Sequence, residues 1–443
     1  MRRGLRYASG TMKTLPGVLL LSSAICAVAQ QPSSPKPAVV LHAARILDVV
    51  GGTVTSPGEV LVQGDRIVAA GSVVARPPDA LVIDLGDATL MPGLIDVHTH
   101  LFLHPGAEDL QTVQESVPQR TLIAADAAKT DLLAGFTSER DMGTEGAGCA
   151  DVAVRNAIYA GLIPGPRMRV SCNAISIVGG HEDAIGYNPA QKVLSNADYA
   201  DTAEELVKVI REQRKGGADF TKIYETGRDW LHDGQFTTPY QYTTDDLAAA
   251  VKEAERTGGD RASGRGIAVH ATGEPGTGYA VAAGVSSVDH ADYLSDATMK
   301  AMHDKGIFAV PTFTISEYFA THAATPERAQ YLRAQLAFHT AEFKKQMAAG
   351  VPFAVGSDVG PFPHGTQARE MELMVEYGMK PADVLRADLL NGAKLLGWSG
   401  QIGELKPGYF ADVIAVPGNP LTDITVLGKV GFVMKGGVIY RRP

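Results

Sequence analysis

PGLIDVHTH, residues 92–100, ends an apolar β-type run with two histidines two positions apart. Strand side chains alternate faces, so His98 and His100 project the same way and can share a metal ion. An H-x-H pair also arises from ordinary packing, so by itself it names no reaction, and further ligands must come from elsewhere. Working outward, the run is the first of a series. Strand-like runs recur at 137–143, 168–176, 219–225, 266–272, 287–292, 307–313 and 353–359. Helical patterns such as AEELVKVIREQRK, TDDLAAAVKEAER and TMKAMHDKG lie between them. Alternation on this scale means parallel strands joined by crossover helices, and eight of them predict an α/β fold of the (β/α)8 TIM-barrel type. A doubly wound open sheet is the competing fold, but no G-x-G-x-x-G follows the first strand.

The two ends of the chain read differently. From 39 to 90, short β-branched runs alternate with glycine turns, and the texture returns in ADVIAVPGNP and VGFVMKGGVIYRRP. Segments 39–91 and 400–443 are therefore expected to combine into a small split β-sandwich domain around a barrel spanning 92–399. Ahead of them, Arg2, Arg3, Arg6 and Lys13 precede an apolar run ending at Ala27-Val28-Ala29. This predicts a signal peptide over 1–29, starting at Met1 or Met12, a flexible mature N-terminus over 30–38, and a periplasmic or secreted protein. The apolar run is too short to span a bilayer, so no stable membrane insertion is expected after signal removal. Cys149 and Cys172 remain beyond the signal, and the sequence leaves open whether they pair. With 443 residues, 48 glycines and a net charge of −9, the composition suits a large globular protein with many tight loops and argues against nucleic-acid binding.

Barrel folds place reactive groups at the C-terminal ends of strands. His98 and His100 end the first run, Lys222 lies in the fourth, His270 in the fifth, His290 in the sixth and Asp358 in the eighth. Any one of these histidines taken singly reads as packing or surface. All six groups at one end of one barrel read as a site.

These residues resemble the amidohydrolase superfamily: PGLIDVHTH its strand-one H-x-H, FTKIYETG its strand-four lysine, IAVHATG and VDHAD its histidines of strands five and six, and VGSDV its strand-eight aspartate. The resemblance covers residue 39 to the C-terminus. It implies two divalent metal ions, zinc being the first expectation although nitrogen and oxygen donors also take manganese, cobalt or iron. His98, His100 and Asp358 would hold the more buried ion, and His270 and His290 the more exposed one. Lys222 would bridge both as N6-carboxylysine, since an ammonium would repel the metals. The implied chemistry is attack by a metal-bridging hydroxide, with Asp358 carrying the proton to the leaving nitrogen.

Within the superfamily, KIYETG, GGH and MELMVEYGMKPADVLRADLLNGAKLLG resemble the group that includes Xaa-Pro dipeptidases, imidazolonepropionases and ochratoxin-hydrolysing amidohydrolases. The expected substrate is a small dipeptide or N-acyl amino acid, cut in the manner of a carboxypeptidase or dipeptidase, with ochratoxin-type amides that release phenylalanine included in that class. Its contacts are assigned to His181 on the glycine-rich ISIVGGHEDAIG loop, to Tyr224 and Arg228 in KIYETGRDW, and to His364 in PFPHGTQARE. His181 also polarises a carbonyl in this reading, and His104 is a weaker mouth candidate. The alternatives are a cyclic-amide hydrolase of the imidazolone type, with one metal, and a non-catalytic binding protein on the same barrel. The resemblance also suggests a homo-oligomer.

Overall fold

The computed structural model describes residues 37–443 apart from Pro189, so the expected signal peptide and most of segment 30–38 lie outside the described residues. The chain is α/β, with a run of parallel strands and two mixed sheets. Leu94–Thr99 pairs in parallel with Phe136–Asp141, which pairs with Arg167–Val170. Past Cys172 the chain resumes as Ala174–Ser176, which meets Thr221–Tyr224 at Ile175 and Ile223. From there parallel pairing passes to Ile267–Ala271, Ser287–His290 and Phe308–Val310.

Segment 353–359 touches both extremes of this run. Phe353 bridges Ala309 in parallel, and Val359 bridges Thr99. Its backbone accepts from Val97 N–H at Val355 (3.0 Å), and the Asp358 N–H donates to His98 O (2.8 Å). Gly356 is required for that approach, because a Cβ there would lie 2.7 Å from the His98 Cβ. Helices lie between the strands, among them Val117–Ala134, Ala203–Gly216 and Thr244–Arg256. The last begins with a capping box between Thr243 and Asp246, which satisfies two amides of its first turn.

Both chain ends enter one antiparallel-rich sheet: Val413–Pro417 pairs with Ala88–Pro92, and Ala88–Pro92 runs parallel to Arg45–Asp48. Leu90, Val413 and Phe432 from this sheet pack into one buried cluster with Leu41, Val60 and Val62 from a second sheet. The alternating apolar pattern of the end segments is the cause, since each strand has one face to bury.

Four local features depart from the runs read in the sequence, the first being run 353–359, which forms no strand and pairs only through the isolated bridges at Phe353 and Val359. Run 168–176 splits in two, with Cys172 at φ 68°. Run 307–313 ends as a strand at Val310, and helix Phe313–Thr321 begins where Thr312 adopts φ 51°. A hairpin, Trp230–His232 with Gln235–Thr237, follows the fourth parallel strand. Cys149, at the start of helix Ala150–Tyr159, is disulfide-bonded to Cys172. No helix of the described residues is long and apolar enough to cross a membrane.

Candidate metal centre

The strand ends carry their side chains into one cavity of about 110 Å³. His98, His100, Lys222, His270, His290 and Asp358 line it, and so do His181 and Tyr224. A larger cavity of about 480 Å³, between Met347 and Asn391, lies at the opposite end of segment 353–359 and gathers none of these groups. Chemistry, not size, marks the site.

The donor atoms are aimed. His98 Nε2 lies 3.4 Å and His100 Nε2 3.3 Å from the same Asp358 oxygen, Oδ1. Donor atoms of His98, His290 and Asp358 all fall within 4.8 Å of one another. The His290 and His100 rings are hydrogen-bonded from behind through their other nitrogen, and His98 Nδ1 closely faces a carboxylate without hydrogen-bond geometry. His98 Nδ1 is 2.9 Å from Asp289 Oδ2, His290 Nδ1 is 2.8 Å from Thr312 Oγ1, and His100 Nδ1 is 3.2 Å from both Gly143 O and Glu145 Oε1. Metal-binding histidines need such partners, because the outer hydrogen bond fixes which nitrogen offers its lone pair. His270 Nε2 is buried with no hydrogen-bond partner. The His270 ring lies 4.3 Å from that of His290, so this orphaned nitrogen stands beside the His98, His290 and Asp358 donors, a set that fits a divalent cation.

Asp96 and Arg140 position this set. The Asp96 carboxylate accepts from the His98 N–H (3.0 Å), the Ser357 N–H (3.1 Å) and the Ser357 hydroxyl (2.5 Å), tying the first strand to the segment that carries Asp358. Arg140 donates to Val97 O (2.6 Å), Ser287 Oγ (3.1 Å) and Asp289 Oδ2 (3.2 Å), joining three strands through the interior. Arg140 is 2% exposed and Asp289 not at all. Replacing Arg140 by methionine is therefore expected to cost about 3–5 kcal/mol, since it leaves a buried carboxylate uncompensated. Denaturant unfolding checks this, and a loss under 1 kcal/mol would mean that water or a metal ion already neutralises Asp289.

The backbone itself is strained here. His290 (φ 75°), Thr312 (φ 51°) and Asp358 (φ 62°) all occupy the left-handed region without being glycine. Such conformations cost of order 1–3 kcal/mol each and persist where surrounding structure enforces them, typically at functional sites.

Electrostatics separates the groups by role. Burial pushes the Asp358 pKa up, but His98, His100 and His290 outweigh it and hold the carboxyl far below the usual carboxylate range. Burial likewise holds His98 down to about 4 and His270 and His290 well below 6.5, which keeps the imidazoles neutral and able to ligate. His100 differs: burial lowers its pKa, yet Asp358 and Glu145 raise it well above 6.5. Lys222, 1% exposed, has its pKa lowered, chiefly by burial and further by Arg140, against the pull of Asp289 and Asp358.

His181 stacks on Tyr224 (centroids 5.1 Å, planes 12° apart) and lies 4.1 Å from His270. Burial brings its pKa down to about 4. Two of the residues read as substrate contacts do not line the cavity. Arg228 is exposed beyond Gly227. His364 is turned to Asp131, with Nδ1 2.8 Å from Oδ2, and burial is outweighed by that carboxylate, which raises its pKa. His104 pairs with Glu115 at 2.7 Å, also off the cavity. Asp96, Arg140, Glu145, Asp289 and Thr312 support the site without any sequence motif that singles out their roles. Asp96 and Asp289 were in plain view inside LIDVHTH and VDHAD, each next to or near a named histidine.

The chain belongs to the amidohydrolase family, whose profile matches residues 89–440. It is a metal-dependent amidohydrolase, a hydrolase acting on carbon–nitrogen bonds. Ochratoxinase of Aspergillus niger is 30% identical over 383 residues, covering 80% of this chain and 76% of that one. Its crystal structure aligns with a TM-score of 0.77 at 26% identity, over 92% of this chain and 96% of that chain. A crystal structure of a Xaa-Pro dipeptidase with bound methionine in the active site aligns with a TM-score of 0.80 at 29% identity, over 91% of this chain and all of that one. Imidazolonepropionase of Vibrio cholerae is 23% identical over 398 residues, 84% of this chain and 91% of that protein.

Proposed function

We propose that the protein hydrolyses dipeptides or N-acyl amino acids, releasing a C-terminal amino acid, at a binuclear metal site in the mouth of a (β/α)8 barrel. The convergence of His98, His100, Lys222, His270, His290 and Asp358 on one cavity carries this reading. The parallel pairings and the two bridges of segment 353–359 support the barrel, with the two mixed sheets as its small accessory domain.

His98, His100 and Asp358 would hold one ion, His270 and His290 the other, and Lys222 both. Bound there, two divalent cations, zinc in the first instance, would lower the pKa of water towards neutrality and polarise a carbonyl. Lys222 is suited to carboxylation because a lysine with a lowered pKa presents more of the neutral amine that reacts with carbon dioxide. Asp358 is held ionised, so it can take a proton from the attacking water and return it to the leaving nitrogen as the C–N bond breaks. Water is consumed, and the products are a carboxylate and an amine. His181, neutral and beside His270 at the cavity wall, is placed to donate a hydrogen bond to the substrate carbonyl oxygen.

Export is part of this reading. It rests on the basic and apolar N-terminal pattern and is supported by the Cys149–Cys172 disulfide, a bond favoured in oxidising compartments.

The test is a screen of metal-replete enzyme against dipeptides and N-acyl amino acids that differ in the C-terminal residue. At least one should be hydrolysed with kcat/KM above about 10⁴ M⁻¹ s⁻¹. No amino acid released from any of them would overturn the substrate class. Hydrolysis of a cyclic amide is the second reading, favoured by the similarity to imidazolonepropionase along most of the chain. One tightly held ion in fully active enzyme, instead of two, would favour it.

A further inference from the structure

The cavity of about 480 Å³ at the far end of segment 353–359 has the make-up of a binding pocket, and the hydrolytic reading gives it no task. Its wall is apolar, with Met347, Val351, Phe353, Met379 and Leu390, and methionines adapt to a flexible guest. Lys380, Asp383 and Arg386 add charge. Arg386 is already committed, because Nη1 donates to Asp383 Oδ1 (2.8 Å) and Nη2 to Val50 O (3.1 Å). The Lys380 side chain has no ion pair or hydrogen bond among the described residues. The uncompensated charge of the pocket is therefore one ammonium. An apolar cavity of this size with a few polar groups is the form a small-molecule site takes.

The wall of this cavity is tied to the strands that carry metal ligands. The helical stretch from Pro381 to Leu395 widens into a π-helix over Ala387–Asn391, where the Gly392 N–H reaches back to Ala387 O. Such turns are rare and recur at functional sites. Ala387, Leu390 and Asn391 of this turn line the cavity. Asp388, fully buried on the same turn, accepts the Ile95 N–H (3.1 Å), and Asn391 donates to Phe353 O (2.7 Å). Gly392 packs so closely on the first strand that a Cβ there would lie 2.9 Å from Ile95 Cγ2. Ile95 stands three residues before His98, and Phe353 five residues before Asp358. The π-helix thus grips the two segments that meet at the metal centre, and a close-packed interior transmits displacements between them.

We propose that this cavity binds an apolar chain bearing one carboxylate, of the medium-chain fatty-acid kind, and that its occupancy steadies the metal centre through the π-helix. The carboxylate meets Lys380, and the chain lies along Met347, Phe353, Met379 and Leu390. An amino-acid zwitterion fits less well, because Arg386 already engages the carboxylate that an ammonium would seek. A filled cavity holds Phe353 and Leu390 from behind. Strand Leu94–Thr99 and segment 353–359 then separate less often, and a metal ion held between them is lost more slowly.

Calorimetry of the metal-replete enzyme with decanoate tests the site without any turnover, so its outcome is independent of the amide substrate. A Kd below about 1 mM is expected, with decylammonium weaker by at least about tenfold. Lys380→Glu reverses the charge and Leu390→Trp fills the cavity, and each should weaken decanoate by at least about tenfold. Neither residue lines the metal cavity, and exposed Lys380 can be replaced should Leu390→Trp fail to fold. Saturating decanoate should slow zinc loss to a chelator by about fivefold in the wild type and in neither variant. Decanoate binding unchanged in both variants would put the carboxylate on the metal ions and overturn the site. No binding, or leucine or decylammonium bound as tightly as decanoate, would overturn it equally. Binding that leaves zinc loss unmoved would overturn the link to the metal centre.

Discussion

Asp358→Asn is expected to lower kcat/KM by about 10²–10⁴-fold with metal still bound. Asparagine keeps an oxygen where Oδ1 now sits between the His98 and His100 Nε2 atoms, at 3.4 and 3.3 Å, so ligation is weakened but not deleted. What it removes is the carboxylate that three histidines hold ionised, and with it the acceptor for the water proton and the donor to the leaving nitrogen. The φ of 62° at this position adds nothing against the exchange, because asparagine tolerates the left-handed region better than most residues. The measurement pairs metal content per chain with kcat/KM. Full activity in metal-replete Asp358→Asn enzyme would place proton transfer on another group.

Lys222→Met should have the second large effect. Lys222 lies on the buried strand Thr221–Tyr224 and is 1% exposed, so an unbranched apolar side chain fits its strand without a solvation cost. The strand and fold should survive, and the bridging anion should not. Metal content is expected to fall from two ions per chain to one or none, with the affinity of the remaining ion lower by more than about 100-fold. Growth or reconstitution with ¹³C-labelled bicarbonate provides an independent reading, a carbamate carbon resonance in the wild type that is missing in the variant. Two ions retained at full activity, with no such resonance in the wild type, would mean that Lys222 acts as an amine and not as a carbamate.

How much of this was legible in the sequence depends on separation along the chain. His98 and His100 are readable because a strand repeats every two residues, and the pair announces both the element and its open face. Lys222, His270, His290 and Asp358 become readable once the strand series is laid out, because each lies in a run of its own. The role of Asp289 is harder to read than its presence. The residue precedes His290 directly, but its partners Arg140 and His98 come from strands far away in sequence, and no local pattern records an interior crossing. Arg228 and His364 show the converse. A polar residue just past a barrel strand looks the same in sequence whether it turns to the cavity, to solvent or, as His364 does, to a helix carboxylate such as Asp131. The cysteines illustrate a third limit: whether Cys149 and Cys172 can join depends on the loop that brings the start of a helix beside a strand break, which spacing alone does not encode.

The pairing of Ala88–Pro92 with Val413–Pro417 has a consequence for biosynthesis. The first two histidines leave the ribosome early, a few residues after Pro92, but the strand that braces them and the carboxylate that faces them are both made near the end of translation. At ordinary elongation rates the nascent chain carries His98 and His100 for on the order of tens of seconds before Asp358 and Val413 exist. The site is thus assembled only after synthesis, and a chain arrested before its final sheet strands would display metal-avid histidines without the geometry to use them.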